Sequence, residues 1–174
     1  KNANSGLVCA NLASQIAAQN TCLTEKAREV GSLRNELSSN NANVKTRSED
    51  IKRLCARGLA LTTDECPRDR RATGQIAESK PIMGTRFCSV GSYTASFADT
   101  IRSQRNGWCT DAHFREVVLL DTALEVRAAD LARAKAISID IDSKIKALQR
   151  EQGVCLRNNG DFTAKARALG CPGI

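Results

Sequence analysis

The sequence predicts an all-α protein: an elongated antiparallel helical hairpin, or coiled-coil bundle, stapled by disulfides, with an irregular disulfide-linked head between its two long helices. Three observations support this prediction. Apolar residues recur every seven positions in two long segments, and this spacing keeps one stripe of a helix facing a partner helix. The chain of 174 residues contains eight cysteines. Aromatic residues make up only 3% of it, which suits a thin helical bundle better than a thick core.

The N-terminal repeat predicts a helix over residues 7–57. Its first register holds a cysteine and six aliphatic residues: Cys9, Ile16, Leu23, Val30, Leu37, Val44 and Ile51. A weaker register follows three residues later: Leu12, Gln19, Lys26, Leu33, Asn40, Arg47 and Leu54. The polar run 38–43 is rich in residues that favour turns, so a break into two helices is the alternative. The repeat keeps its phase across this run, which favours one continuous helix.

A matching repeat predicts a second helix over residues 110–152. Its two registers are Val117, Leu124, Leu131, Ser138 and Ile145, and then Leu120, Arg127, Ala134, Ile141 and Leu148. Phe114 and Ile137 widen the apolar stripe. Thr110 or Asp111 is expected to cap the start, because a short side-chain oxygen accepts a hydrogen bond from a free backbone amide.

The C-terminal segment 153–174 is predicted to staple the hairpin. Gly153 is expected to end the second helix. The Asn-Asn-Gly-Asp sequence that follows reads as a turn and cap. A short helix over 162–169, ended by Gly170, would then bring Cys171 back to the hairpin.

The eight cysteines predict four disulfides. No C-x-x-C pair occurs, so neither a zinc site nor a thioredoxin-like site is expected. Disulfides in an oxidising compartment are the interpretation. One group of four shares the pole where the chain ends: Cys9, Cys22, Cys155 and Cys171. The other group brackets the connection between the helices: Cys55, Cys66, Cys88 and Cys109. Disulfides are expected within each group, and the pairing inside each stays open.

The ends of the chain and its hydropathy predict export. The sequence starts at Lys1 and its single methionine is Met83, so removal of an N-terminal signal peptide is expected. No run approaches the roughly 18 to 20 apolar residues that cross a bilayer. The protein is therefore expected to be secreted, periplasmic or at the cell surface, without a transmembrane segment.

Residues 58–109 are predicted to form the irregular head. Glycines and prolines punctuate it, and a short helix is expected after Ser92. The head holds the only Tyr, Trp and Met of the chain, which either form a contact surface or pack as a small core beneath disulfides. The candidate partner-binding residues are Arg68, Arg70, Arg71, Lys80, Arg86, Tyr93 and Trp108.

The net charge of +7 favours contact with an acidic partner, such as a polysaccharide, an anionic lipid surface or an acidic protein; solubility alone is the alternative. A second basic cluster gathers towards the C-terminus: Lys144, Lys146, Arg150, Arg157, Lys165 and Arg167. Nucleic acid is not an expected partner, because the interleaved aromatic residues that stack on bases are missing.

No catalytic, cofactor-binding or metal site is predicted. His113 is the only histidine, and nothing in the sequence supplies a nucleophile beside it, so a surface or capping role is expected. Asp140 and Asp142 point to nearly opposite faces of a helix, so they form no acid–base pair. Asp142 is expected to pair with Lys146 four residues on. The common phosphate-loop, dinucleotide, hydrolase and zinc-protease motifs are absent.

The predicted function is that of a non-catalytic, exported structural or interaction protein. It would be a subunit of an extracellular or envelope-associated assembly, such as a filament, a pilus or a surface structure, and would bind a protein partner or itself. The alternative is a secreted basic recognition module or adhesin for an acidic host protein, polysaccharide or anionic surface. An enzyme of unrecognised type is the least favoured hypothesis.

Overall fold

A computed structural model describes residues 3–60 and 111–174 of the chain. These residues form two helices, α1 over Ala3–Ala60 and α2 over Asp111–Ala168, and contain no strand. The helices pack against each other, which confirms the predicted all-α helical hairpin with disulfides. The candidate binding residues of the predicted head lie outside the described residues: Arg68, Arg70, Arg71, Lys80, Arg86, Tyr93 and Trp108.

Helix α1 extends beyond both predicted ends and continues without interruption through residues 38–43. Every residue of its two heptad registers is buried or half-buried, including the polar members. Asn40 shows why the polar run stays helical: its Nδ2 donates a hydrogen bond to Ser138 Oγ of α2 at 2.7 Å. The packed interface between α1 and α2 is called the seam. Asn40 could otherwise hydrogen-bond to its own backbone and weaken the helix, and here it hydrogen-bonds across the seam instead.

The predicted end of the second helix at Gly153 is wrong, because α2 continues to Ala168 and no separate turn or short helix forms. The seam continues past Gly153 in the same two registers, where Cys155 and Ala166 are buried and Phe162 is half-buried. A glycine inside a helix costs about 1 kcal/mol relative to alanine. Burying an apolar side chain contributes about 1.5 to 3 kcal/mol, so packing outweighs the local stop signal.

Helix α2 ends on a glycine cap. Gly170 has a φ of +68°, a conformation that glycine adopts at little cost. Its N–H donates to the carbonyl of Arg167, and the N–H of Cys171 donates to the carbonyl of Ala166, both at 3.0 Å. This pair of bonds defines a Schellman motif, and Ala166 and Cys171 also pack in one hydrophobic cluster. The cap directs Cys171 towards α1.

The chain divides into two compact units, and the first comprises Lys1–Asn40 and Ile137–Ile174. Two disulfides join its helices and make them antiparallel: Cys9–Cys171 and Cys22–Cys155. Both disulfides lie within the group of four cysteines that the spacing assigns to one pole. Two hydrophobic clusters fill the seam here. One holds Leu12, Ala166, Cys171, Cys9, Ile16 and Phe162, and the other Val30, Ile141, Ile145, Leu33, Leu37 and Leu148.

The second unit, Asn41–Ala136, is also built on an antiparallel pair of helical segments. Leu124 is completely buried there, and Ile51 is almost so. Two ion pairs join the helices: Arg47 with Asp130 at 3.3 Å and Arg57 with Glu116 at 2.8 Å. The seam of this unit is therefore apolar inside and charged along its edges.

Cys55 of the second unit is also disulfide-bonded, and to none of the four cysteines that pair in the first unit. Its predicted group stays a prediction, because Cys66, Cys88 and Cys109 lie outside the described residues. The disulfides indicate an oxidising, extracytoplasmic environment. Neither of the two described helices is apolar over a stretch long enough to cross a membrane.

Candidate functional site

The N-terminal part of α1 is a surface without charge. No Asp, Glu, Lys, Arg or His occurs between Lys1 and Glu25, although 26% of the chain is charged. One face of this stretch packs in the seam of the first unit, and the other faces are exposed. Leu7 is 70% exposed and Val8 is 45% exposed. The gap in charge is visible in the sequence, but only the structure shows that large apolar side chains there are left uncovered.

A groove of about 400 Å³ opens between this part of α1 and the tail that follows α2. Small α1 residues form its floor, the Cys9–Cys171 disulfide closes one side, and the tail forms the wall. The lining residues are Ser5, Gly6, Cys9, Ala10, Ala13, Leu169, Gly170, Cys171, Pro172 and Ile174. Leu169 is 59% exposed and Ile174 is 38% exposed. Because a covalent bond frames the groove, its shape is set before any partner binds.

The basic cluster predicted near the C-terminus contains two lysines that form ion pairs and four cations that form none with a described residue. Lys144 lies 3.1 Å from Asp140, and Lys146 lies 2.8 Å from Asp142, which confirms the predicted pairing of Asp142 with Lys146. The other four members form no ion pair with a described residue and are all exposed: Arg150, Arg157, Lys165 and Arg167. The Cys9–Cys171 disulfide places the end of α2 beside the uncharged stretch of α1, so Lys165 and Arg167 receive no compensation from a carboxylate of that stretch.

Lys26 occupies a seam position of α1, and its Nζ lies 2.8 Å from Glu151 Oε2 of α2. The hydrogen bond to Glu151 raises the pKa of Lys26 above its usual 10.5, and the charges of Glu151 and Glu29 add to this effect against the opposing effect of desolvation. A second polar contact crosses the seam where Asn159 Nδ2 donates to Asn20 Oδ1 at 2.7 Å. Polar pairs of this kind specify helix register, because a shifted alignment would leave each partner unmatched.

The second unit contains a cavity of about 410 Å³ lined by Asp50, Arg53, Leu54 and Arg127. Asp50 pairs with Arg53, and Arg127 forms no ion pair with a described residue. The predicted seam position of Arg127 is wrong, since its side chain is exposed. The charged guanidinium group of an arginine is more stable in contact with water than in an apolar interface. Ile137 is likewise 51% exposed and does not widen the stripe.

Within the two described ranges, no group of three or more His, Cys, Asp or Glu side chains could hold a metal ion. His113 lies in the first turn of α2, but its side chain is outside what the structure describes. The described residues thus provide an uncharged groove and, on α2, four exposed cations, of which Arg150 and Arg157 share one face. Compared with protein-family models, curated proteins and solved structures, the chain matches none of them.

Proposed function

We propose that the protein is a non-catalytic structural or interaction subunit of an extracellular or envelope-associated assembly, such as a filament, a pilus or another surface structure. The observation that carries this proposal is the uncharged apolar groove beside Cys9–Cys171, where Leu169 and Ile174 are exposed, together with the exposed Leu7 of the same part of α1. Soluble proteins that expose contiguous apolar surface commonly use it to contact a partner. A disulfide-linked frame holds this surface in place.

The arrangement of charged groups supports a role without catalysis. Acid–base or nucleophilic chemistry needs titratable groups that converge in a pocket. The described carboxylates instead lie along the helix surfaces, where several pair with a cation three or four residues away. Such pairs support a helix by about 0.2 to 0.5 kcal/mol each and do not assemble a reaction site.

The proposed location is outside the cytoplasm: secreted, periplasmic or at the cell surface. Disulfides that span 162 and 133 residues of sequence support this proposal. Bonds of this kind persist in oxidising compartments and are rare where thiols are kept reduced.

Cross-linking on intact producing cells tests the proposal. An amine-reactive reagent is applied to cells that produce the protein at its native abundance, and the captured complexes are identified by mass spectrometry. The chain should appear in cross-linked species that are larger than its own 18.8 kDa and reproducible in composition. Recovery of the chain only as an uncross-linked 18.8 kDa species, together with a partner-free monomer in sedimentation of the released material, would contradict an assembly role.

A basic recognition module is the second candidate function, and the four exposed cations of α2 that form no ion pair with a described residue favour it. Arginine presents several N–H groups that bind carboxylate, sulfate or phosphate oxygens bidentately. Arg150 and Arg157 lie seven residues apart on one face of α2, so an acidic polysaccharide along that face would meet both without first breaking an ion pair within the described chain.

Matched double variants test this second candidate on an immobilised sulfated polysaccharide. Arg150→Gln with Arg157→Gln should elute at clearly lower salt than the unmodified chain, because fewer counterions are displaced on binding. Lys144→Gln with Lys146→Gln removes the same net charge from residues that are already paired, and should shift elution less. Equal shifts for the two variants would mean that net charge alone governs retention.

A further inference from the structure

We propose that the first unit binds a second copy of this chain through the groove beside Cys9–Cys171, with Leu7 of each copy seated in the groove of the other. The inference rests on the proposed assembly function and names one partner for it.

The shape of this surface is self-complementary. A two-fold interface brings the same patch of both copies together, so the patch must contain both a projection and a recess to receive it. Leu7 is the projection: it is 70% exposed and lies three residues before the groove-lining residue Ala10, its neighbour on the surface of α1. The recess is floored by Gly6, Ala10 and Ala13, and a Cβ added at Gly6 would meet no atom within 4 Å. Small floor residues allow a second helix to approach closely.

The charge distribution favours a second copy over an acidic partner. Two chains of net charge +7 repel each other wherever their cations meet. Two of the most exposed apolar residues elsewhere have a cation one turn away on the same helix: Leu119 has Arg115, and Ile139 has Lys135. Along α1 the stretch around Leu7 carries no charge, so two copies can meet there without opposing cations, and an acidic partner gains no attraction.

Lys165 and Arg167 of α2 are the cations nearest to the groove in sequence, and both are exposed. Cations in such positions belong to the solvated rim of an interface. Solvent and salt screen the repulsion between rim charges, and rims are normally polar. Self-association through the groove should therefore strengthen as salt is added, because salt screens the repulsion between the two basic chains.

The size of the surface limits the interface that two copies can form. Fourteen residues of α1 between Asn4 and Thr24 are exposed, as are six residues from Ala168 to Ile174. A specific interface engages about 20 to 30 residues on each side, so even complete use of this surface reaches only the lower end of that range. The dimer should form in the micromolar range, and its population should depend on concentration.

Sedimentation velocity on the full chain with its disulfides intact tests the proposal, from about 5 to 200 µM, a range that brackets micromolar affinity. The unmodified chain should shift from monomer to dimer. Leu7→Glu should weaken the dimer at least about tenfold, because a carboxylate would enter an apolar recess. Ala10→Glu places the same charge on the groove floor and provides a second variant. Ile139→Glu is the matched control, since Ile139 is 72% exposed and the change in net charge is identical.

The inference is overturned if the unmodified chain stays monomeric throughout, if Leu7→Glu and Ala10→Glu both dimerise like the unmodified chain, or if Ile139→Glu loses the dimer to the same extent. Circular dichroism of each variant confirms its helix content. If one of the two groove variants fails to fold, the dimerisation of the other tests the proposal. A monomeric purified chain that still cross-links to a different protein on cells would overturn this inference and leave the proposed function standing.

Discussion

Two glycines of the first unit have opposite structural roles although they lie ten residues apart. Gly160 is inside α2, its surroundings are open, and a Cβ there would meet no atom within 4 Å. Gly170 follows α2 with a φ of +68° and caps it. In the first case the missing side chain only adds flexibility to the unfolded chain, whereas in the second it permits a backbone conformation that other residues adopt at a cost.

Alanine should therefore have opposite effects at the two positions. Gly160→Ala should raise the free energy of unfolding by about 0.5 to 1 kcal/mol, because alanine is the better helix former and nothing obstructs it. Gly170→Ala should lower it by about 1 kcal/mol, because alanine is strained at positive φ. Urea unfolding followed by circular dichroism, with the disulfides intact, measures both. A loss of stability in Gly160→Ala would show that the exposed side of α2 does not tolerate a methyl group there.

Lys26 links stability to pH through its contact with Glu151. The hydrogen bond to Glu151 raises the pKa of Lys26 in the folded chain above 10.5. A cation whose pKa is raised by folding contributes stability that is complete below its unfolded-state pKa. That contribution is lost as the pH rises through the higher folded-state pKa. The pair should therefore stabilise the fold at neutral pH and cease to do so only in strongly alkaline solution.

Glu151→Gln should bring the pKa of Lys26 down towards its ordinary value, because the largest cause of the rise is removed. An NMR titration of the Lys26 side chain in labelled protein reports this shift directly. Glu29→Gln is the control and should have a smaller effect, since Glu29 lies 3.8 Å from the ammonium and acts through its charge alone. An unchanged Lys26 pKa in Glu151→Gln would show that the two groups are not in contact in solution.

At the scale of the helix, the heptad registers decide which leucines carry the fold. Leu124 is in register and completely buried, whereas Leu119, five residues earlier on α2, is 71% exposed. The same side chain in the same helix thus either fills the seam of the second unit or faces solvent. The contrast makes the seam testable with two identical substitutions.

Leu124→Ala should lower the free energy of unfolding by about 2 to 5 kcal/mol, because it removes buried methyl groups and leaves a cavity. Leu119→Ala should change it by no more than about 0.5 kcal/mol, as expected for an exposed position. Thermal and urea unfolding of the two variants provide the comparison. Similar losses of stability in both would mean that another part of the chain covers Leu119 and that the seam is wider than two registers.

The registers predicted the helix pair because most of their residues are buried or half-buried, Arg127 being an exposed exception. The end of the second helix was predicted wrongly because a local signal was given priority over the registers. Gly153 and the Asn-Asn-Gly-Asp sequence resemble a helix end, yet Cys155, Phe162 and Ala166 extend both registers beyond them. Local propensity amounts to about 1 kcal/mol per residue, and a sustained packing interface exceeds it. The longer pattern was the better guide to the end of α2.

The groove could not be predicted in the same way. Its floor comes from the first turns of α1 and its wall from the last residues of the chain, and only the pairing of Cys9 with Cys171 brings them together. Eight cysteines allow 105 pairings, so spacing leaves this contact undetermined. The charge gap before Glu25 was available from the sequence. Which side chains of this uncharged stretch are exposed depends on the face of α1 that packs in the seam, and the sequence alone does not determine that face.

For the molecule as a whole, the two disulfides of the first unit form a nested pair. Cys9–Cys171 closes a loop of 162 residues, and Cys22–Cys155 lies inside it with a separation of 133 residues. In the chain-entropy description, closing the long loop contributes about 5 kcal/mol. The second bond then closes a further loop of roughly 30 residues and contributes about 3.5 kcal/mol. Together they match the entire stability of many domains, about 5 to 15 kcal/mol.

Removal of either disulfide alone should therefore be tolerated, and removal of both should not. Cys9→Ser with Cys171→Ser, or Cys22→Ser with Cys155→Ser, should each lower the free energy of unfolding by about 3 to 4 kcal/mol and leave a cooperative helical transition. The fourfold variant should lose about 8 kcal/mol and be largely unfolded at 37 °C. Circular dichroism melts of the three variants beside the unmodified chain measure this order. A fourfold variant that melts within a few degrees of the unmodified chain would show that the seam between α1 and α2 is sufficient, and that the disulfides serve mainly to hold the groove in shape.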